Sequence, residues 1–244
     1  MFALSNHPFA VEAYFNTSLV LTYAARKSEL KAMIPSFLEL DLFKDEWAFI
    51  AVALVDTKQL RPKGFPKFFG RDFLLIGYRI FVRYHNKAGK NLRGLYILKS
   101  ETNKTSMSRL GNIFTHYHYE TTDIRHERNH DTISISSVQS ALDIEVAINK
   151  NPVPLPLHSP FENWKEARRF AGPLPFTFTH LKKSNGILII EGVRENWEPQ
   201  PVKVIRATSG FIDQKKINGL VLANAFLVEN IPYYWKKGKT ETWT

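Results

Sequence analysis

Trp47-Ala48-Phe49-Ile50-Ala51-Val52-Ala53-Leu54-Val55 is the longest wholly apolar run in the chain. At nine residues it falls well short of the ~20 that a membrane-spanning helix needs. Its β-branched and aromatic content reads as a strand covered on both faces. The same signature recurs outward from it, at residues 17–23, 73–84, 92–99, 133–138, 142–148, 187–193, 202–207 and 220–228. Lys87-Ala88-Gly89 and Ser184-Asn185-Gly186 stand between such runs, and both read as hairpin turns in which Gly supplies a positive φ. So many strands expose edges unless the sheet closes or coils strongly. The expected fold is therefore mainly β, a cone-like, strongly curved antiparallel β-barrel with two or three short helices.

Those helices are predicted at residues 28–34, capped by Ser28 and stopped by Pro35, at 107–114, interrupted near Gly111, and at 161–170, ending before Ala171-Gly172-Pro173. Phe161, Trp164 and Ala167 share one side of the third helix and read as core anchors. Pro152, Pro154, Pro156 and Pro160 make residues 151–160 a stiff, extended connector. Neither half alone holds a complete strand set, so residues 1–244 are expected to form a single domain with this connector crossing its surface.

The 244 residues carry 33 Lys and Arg against 23 Asp and Glu, a formal charge of +10, and no cysteine. The charge favours anionic partners. The missing cysteines exclude a disulfide scaffold, Cys-ligated zinc, an iron–sulfur cluster and a thiol nucleophile. No basic residue precedes Arg26 and no sustained apolar stretch opens the chain, so no secretory signal is expected and a cytoplasmic location follows.

His126-Glu127-Arg128-Asn129-His130 matches the zinc-protease pattern H-E-x-x-H. That chemistry needs a helix with an apolar back, whereas Asp123, Arg125, Arg128, Asn129 and Asp131 surround the match with polar groups. Asn129-His130-Asp131 reads instead as a turn entering a strand. His116 and His118 alternate with Tyr117 and Tyr119, which on a strand puts both imidazoles on one side, yet two ligands do not make a metal site. No metal and no cofactor are expected. Residues 61–71 interleave Arg61, Lys63, Lys67 and Arg71 with Phe65, Phe68 and Phe69, chemistry suited either to phosphates and bases or to a loop packing its rings inward. Lys99 and Glu101 are expected to share a strand face with Leu95 and Ile97. Lys99 then sits either at the sheet rim or desolvated, and a desolvated Lys99 is a candidate imine-forming amine. Glu191 and Arg194, three apart on a strand, point to opposite faces, so one of them at most enters a cavity.

Residues 21–41, ending Pro35-Ser36-Phe37-Leu38-Glu39-Leu40-Asp41, resemble the opening strand, short helix and "P-x-x-L-E-hydrophobic-D" segment of the acetoacetate decarboxylase-like superfamily. Trp47 to Val52, Gly94-Leu95-Tyr96-Ile97-Leu98-Lys99-Ser100, Trp197-Glu198-Pro199, Ala223-Asn224-Ala225-Phe226 and Ile231-Pro232-Tyr233-Tyr234-Trp235 extend the likeness over most of the chain, toward an uncharacterised bacterial branch. The resemblance implies a cone-shaped barrel around a pocket and a homo-oligomer. It also implies a catalytic lysine shortly after the second helix, its pKa lowered by hydrophobic surroundings or cationic neighbours, that forms an imine with a ketone. Laid on this chain that segment is residues 111–120, which contain no lysine. The family's first-strand Arg falls near Asn16 and its loop Glu within residues 61–65, where no carboxylate stands.

The expectation is therefore a small-molecule pocket, suited to an organic acid, that lacks the superfamily's amine. His116, Tyr117, His118 and Tyr119 are predicted to line it, with Glu191, Arg194 and Asn224 as further candidates. A lyase with a relocated lysine, Lys99 or Lys104, is the alternative enzyme reading. A nucleic-acid or anionic-surface binder is the weaker third, and no membrane partner is expected.

Overall fold

The computed structural model describes residues 4–148, 152–172 and 174–243. Met1 to Ala3, Asn151 of the connector and Pro173 after the third predicted helix lie outside them. In chain order the elements are β1 (Val11–Arg26), α1 (Lys27–Lys31), β2 (Glu39–Leu40), β3 (Trp47–Pro62), β4 (Arg71–His85), β5 (Asn91–Thr102), α2 (Thr105–Phe114), β6 (Tyr119–Thr121), β7 (Arg125–Arg128), β8 (Thr132–Ser137), β9 (Leu142–Ala147), α3 (Trp164–Phe170), β10 (Phe176–Leu181), β11 (Gly186–Arg194), β12 (Gln200–Pro201), β13 (Lys203–Ser209), α4 (Gly210–Gln214), β14 (Val221–Trp235) and β15 (Lys239–Thr242).

The protein is mostly β, as the strand-rich sequence predicts. Its larger sheet runs β14-β1-β3-β4-β5-β10-β11, and β11 pairs back onto β14, closing a ring of seven strands. Four of these strands precede the connector and three follow it. Four further strands, β13-β9-β8-β7, form a second sheet. Side chains alternate along the ring strands. Ile50, Val52, Leu54, Ile76, Tyr78 and Ile80 join the main core together with Ile133, Ile135, Ile144 and Val146 of the second sheet. The alternate positions, among them Ala51, Ala53, Val55, Leu75 and Arg79, turn toward a cavity. A strand covered on both faces, as read from Trp47 to Val55, is the result.

Several expectations need correction. The ring is not wholly antiparallel, because β5 pairs β10 in parallel; outside the ring, α2 returns the chain so that β6 also pairs β5 in parallel. Helix α1 starts at Lys27 with Arg26 as its uncapped N-cap, so Ser28 is inside the helix and caps nothing. Helix α2 runs through Gly111 to Phe114 without a break. A Cβ at Gly111 would meet the Tyr119 ring at 2.4 Å, so the glycine is required by a close approach and not by a turn. Helix α3 starts at Trp164 because Asn163 caps it, its side chain accepting from Glu166 N–H at 2.9 Å while Glu166 accepts from Glu162 N–H at 2.8 Å. Phe161 therefore precedes the helix, but it still stacks on Phe49, with centroids 5.6 Å apart, and packs with Phe170 and Trp164 against Ala51 and Phe81 of the ring strands.

Candidate functional site

All seven ring strands and α2 contribute side chains to one cavity of about 340 Å³, within the range of small-molecule sites. Val20, Phe81, Leu95, Ile97, Met107 and Phe15 supply apolar wall. Among the described residues no Asp, Glu or Lys lines it, whereas Arg61, Arg71, Arg79 and Arg194 do.

Arg79 is half-buried, as are Arg61 and Arg194. Its Nε is buried and meets no hydrogen-bond partner. The titratable groups around it are Tyr233, Tyr119, Tyr117 and Arg194, with no carboxylate among them, and desolvation lowers its pKa from the usual guanidinium value. Gly77, two residues earlier on β4, makes room for the guanidinium by having no side chain.

Three phenols surround it. Tyr117 Oη shares a hydrogen bond of 2.8 Å with Thr177 Oγ1. Tyr119 packs on Gly111, and its backbone N–H donates to Asn112 Oδ1 at 2.8 Å, fixing β6 to α2. Burial raises both phenol pKa values, that of Tyr119 to about 12, so both groups stay protonated donors at neutral pH. Tyr233 occupies space left open by Gly192. Arg194 is already engaged: its Nη2 donates to Leu174 C=O at 2.9 Å, and its guanidinium lies over Trp197 and Tyr233. Trp197 Nε1 and His7 Nδ1 are buried on the same cavity wall without partners. The arrangement presents donors and positive charge to an enclosed space with apolar walls. It suits a carboxylate on a short carbon skeleton, held by the planar fork of a guanidinium.

The predicted residues divide. Tyr117, Tyr119 and Arg194 line the cavity. His116 and His118 sit with Asn112 and Glu120 in a separate shallow depression beside it, where His116 Nε2 bonds Asn6 Oδ1 at 3.0 Å. They are not on a strand, since β6 begins only at Tyr119 and His118 has a φ of 52°. Glu191 pairs with Lys236 at 2.8 Å and is absent from the lining. Asn224 is fully buried and absent from the cavity lining, with neither amide atom hydrogen-bonded.

The shared face expected for Leu95, Ile97, Lys99 and Glu101 breaks at Leu98, where a bulge pairs Tyr78 with Lys99 but Arg79 with Ile97. Beyond a bulge the alternation reverses, so Ile97 and Ser100 face the cavity while Lys99 turns to the other side. There Lys99 Nζ lies 2.8 Å from both Glu101 and Glu120. Burial works to lower its pKa, but the two carboxylates outweigh that and raise it. Lys104 is exposed at the start of α2. In the H-E-x-x-H match His126 lies in strand β7, while the side chain of His130 is 97% exposed in the following turn. Among the described residues no cluster of three metal-ligating side chains occurs.

Sequence reading missed Arg79, Tyr233 and Trp197. The signal for Arg79 was present in Leu74-Leu75-Ile76-Gly77-Tyr78-Arg79-Ile80-Phe81-Val82, one cation in an apolar strand with a glycine two positions before it.

In overall fold the chain is similar to acetoacetate decarboxylase from Legionella pneumophila, with a TM-score of 0.61 at 12% identity over 98% of this chain and 90% of that one. It is equally similar to an acetoacetate decarboxylase-like enzyme from Sphingomonas wittichii RW1, with a TM-score of 0.61 at 10% identity over 99% and 96%. The enduracididine biosynthesis enzyme MppR in complex with pyruvate gives 0.57 at 7% identity over 96% and 90%. No curated protein matches the chain in sequence. A family model described as an uncharacterized conserved protein, DUF2071, matches residues 12–241. The fold is thus acetoacetate decarboxylase-like, and the chain belongs to the DUF2071 family.

Proposed function

We propose that the chain binds a small organic acid inside the seven-stranded ring, with the carboxylate on Arg79 and the carbon skeleton against the apolar wall, and that it does so without an imine-forming lysine. The observation that carries this reading is the guanidinium of Arg79, whose buried Nε has no partner in a cavity lined by no carboxylate among the described residues. A buried charge left in that state is costly, and a ligand anion removes the cost. Tyr117, Tyr119 and Trp197 supply further donors around the same space. Lys99 supports imine chemistry poorly, because its ammonium is held between Glu101 and Glu120, off the cavity lining.

The test is calorimetric titration of pyruvate, hexanoate and benzoate against wild type, Arg79→Met and Arg79→Lys. Wild type binds at least one of them, and Arg79→Met weakens that binding on the order of a hundredfold, the usual loss for one partner of a buried charge pair. Equal binding of the matched amides, or undiminished binding by Arg79→Met, overturns the proposal. Borohydride treatment in the presence of acetoacetate leaves every lysine unmodified by mass; a covalent increment on any lysine restores the lyase reading.

A further inference from the structure

Three segments, residues 4–11, residues 60–71 and residues 103–119, each contribute lining side chains to the cavity, and Phe9, Phe69 and Leu110 among them are both lining and exposed, so the cavity's mouth is assigned here. They are joined to one another. His7 N–H donates to Phe114 C=O at 3.0 Å, Lys63 N–H donates to Ala10 C=O at 2.9 Å, and the rings of Phe9 and Phe114 meet edge to face. Two properties set this surface apart. The three segments contain no Asp or Glu, although the chain has 23, and they carry Arg61, Lys63, Lys67, Arg71, Lys104 and Arg109. Seven of the ten exposed large hydrophobic side chains among the described residues are also here: Leu4, Phe9, Phe65, Phe68, Phe69, Leu110 and Ile113.

Phe68 is 79% exposed and lies against Phe69 with ring centroids 4.1 Å apart. The loop that sequence reading left open between inward packing and ligand contact therefore turns its rings outward. An apolar cluster of this kind marks an interaction surface. Exposed Phe side chains ringed by Lys and Arg match the headgroup boundary of an anionic bilayer, where rings enter the interface and cations meet lipid phosphates. A second copy of the chain fits poorly, since the same face on a partner presents the same excess of positive charge, of which Glu12 neutralises Arg61 at 2.7 Å while Lys63, Lys67, Lys104 and Arg109 remain. Single-stranded nucleic acid would need a groove tracking its backbone, whereas Arg61 and Arg71 line the cavity itself and Lys63 and Lys67 lie on the short loop between them.

We infer that the cavity mouth docks on an anionic lipid surface, with Phe65, Phe68 and Phe69 at the headgroup level and Lys63 and Lys67 on lipid phosphates, so that the cavity opens toward the bilayer. This requires no membrane-spanning helix, and no described helix is long and apolar enough to be one. It does not rest on the acid-binding reading.

The experiment is flotation of the full chain with vesicles of phosphatidylcholine alone and of phosphatidylcholine mixed with phosphatidylglycerol. Partition onto the mixed vesicles is expected to be stronger on the order of a hundredfold, from two or three cations at the surface, and to fall steeply with added salt. Phe65→Ser/Phe68→Ser and Lys63→Glu/Lys67→Glu each abolish it; all four residues are exposed, and circular dichroism checks that each variant folds. Val138→Ser, at an 85% exposed apolar residue outside the three segments, leaves it unchanged. Arg79→Met also leaves flotation intact, so failure of the acid site and failure of the docking surface read out separately. The inference is overturned by equal partition onto neutral vesicles, by loop variants that float like wild type, by loop variants whose only change is a smaller oligomer, or by an oligonucleotide that binds through the same residues while vesicles do not.

Discussion

The guanidinium of Arg79 lies over Gly77, so that a Cβ at position 77 would stand 2.9 Å from both Nε and Nη2. The glycine holds the charge folded along β4 where it faces the cavity. Arg79→Met removes a half-buried charge without a carboxylate partner, and chemical denaturation is expected to show a stability gain of up to about 1 kcal/mol. Gly77→Ala folds but displaces the guanidinium, and it weakens carboxylate binding in the calorimeter as Arg79→Met does. A destabilised Arg79→Met protein would show that the charge has a native counterpart.

The same logic applies across the ring at Gly192, where an added Cβ would fall 2.0 Å from Tyr233 Oη. Gly192→Ala is expected to cost about 1–3 kcal/mol through overpacking. Tyr233→Ala removes the clashing ring, so the double variant loses less than the sum of the two singles in a denaturation cycle.

Asp41, the last residue of the Pro35 to Asp41 segment, is fully buried and accepts from Arg83 Nε at 2.5 Å and Arg93 Nε at 2.8 Å. The two arginines are about a third exposed and rehydrate when the carboxylate is lost. Asp41→Asn is therefore expected to cost about 2 kcal/mol, less than a wholly buried pair would. Urea midpoints measure this, and a loss below about 0.5 kcal/mol would place the segment's value elsewhere.

Burial lowers the pKa of His7, His116 and His126 below the ordinary 6.5. The unfolded chain then binds more protons than the folded one as pH drops through that value, so the stability these groups contribute is present above about 6.5 and is lost on acidification toward their folded pKa. Thermal midpoints are expected to fall between pH 7 and pH 5, and His7→Gln/His126→Gln flattens that part of the curve. An unchanged slope in the double variant would assign the acid sensitivity to His116 or to carboxylates.

Lys99 bridges Glu101, which is nearly buried, and Glu120. Lys99→Met leaves Glu101 beside Tyr78, whose hydroxyl donates to it at 3.1 Å, with no cation. A loss of about 1–2 kcal/mol is expected, with carboxylate binding unchanged by calorimetry. Loss of that binding would return Lys99 to the site.

The strands of the ring were legible because a closed sheet with material on both sides demands long β-branched and aromatic runs, and residues 47–55, 73–84 and 220–228 are such runs. The turn at Lys87-Ala88-Gly89 was legible for a local reason, the positive φ of Gly89. Less could be read where a local signal had a distant cause. Gly111 looked like a helix break because the Tyr119 ring packed against it lies eight residues away. Residues 116–119 looked like a strand, but the chain turns at His118 and leaves the two histidines off the cavity that Tyr117 and Tyr119 line.

By itself the sequence determined a mostly β chain, an acetoacetate decarboxylase-like likeness, the absence of thiol chemistry and the absence of any lysine from residues 111–120. These are matters of composition and local pattern. Only the tertiary structure decided which side chains face inward, because strand alternation restarts at every bulge and a single extra residue, Leu98, sends Lys99 away from the cavity. It also decided that Arg79, Tyr117, Arg194 and Tyr233 surround one space. Closing the ring between Gly192 and Trp235 brings together groups that the chain holds far apart.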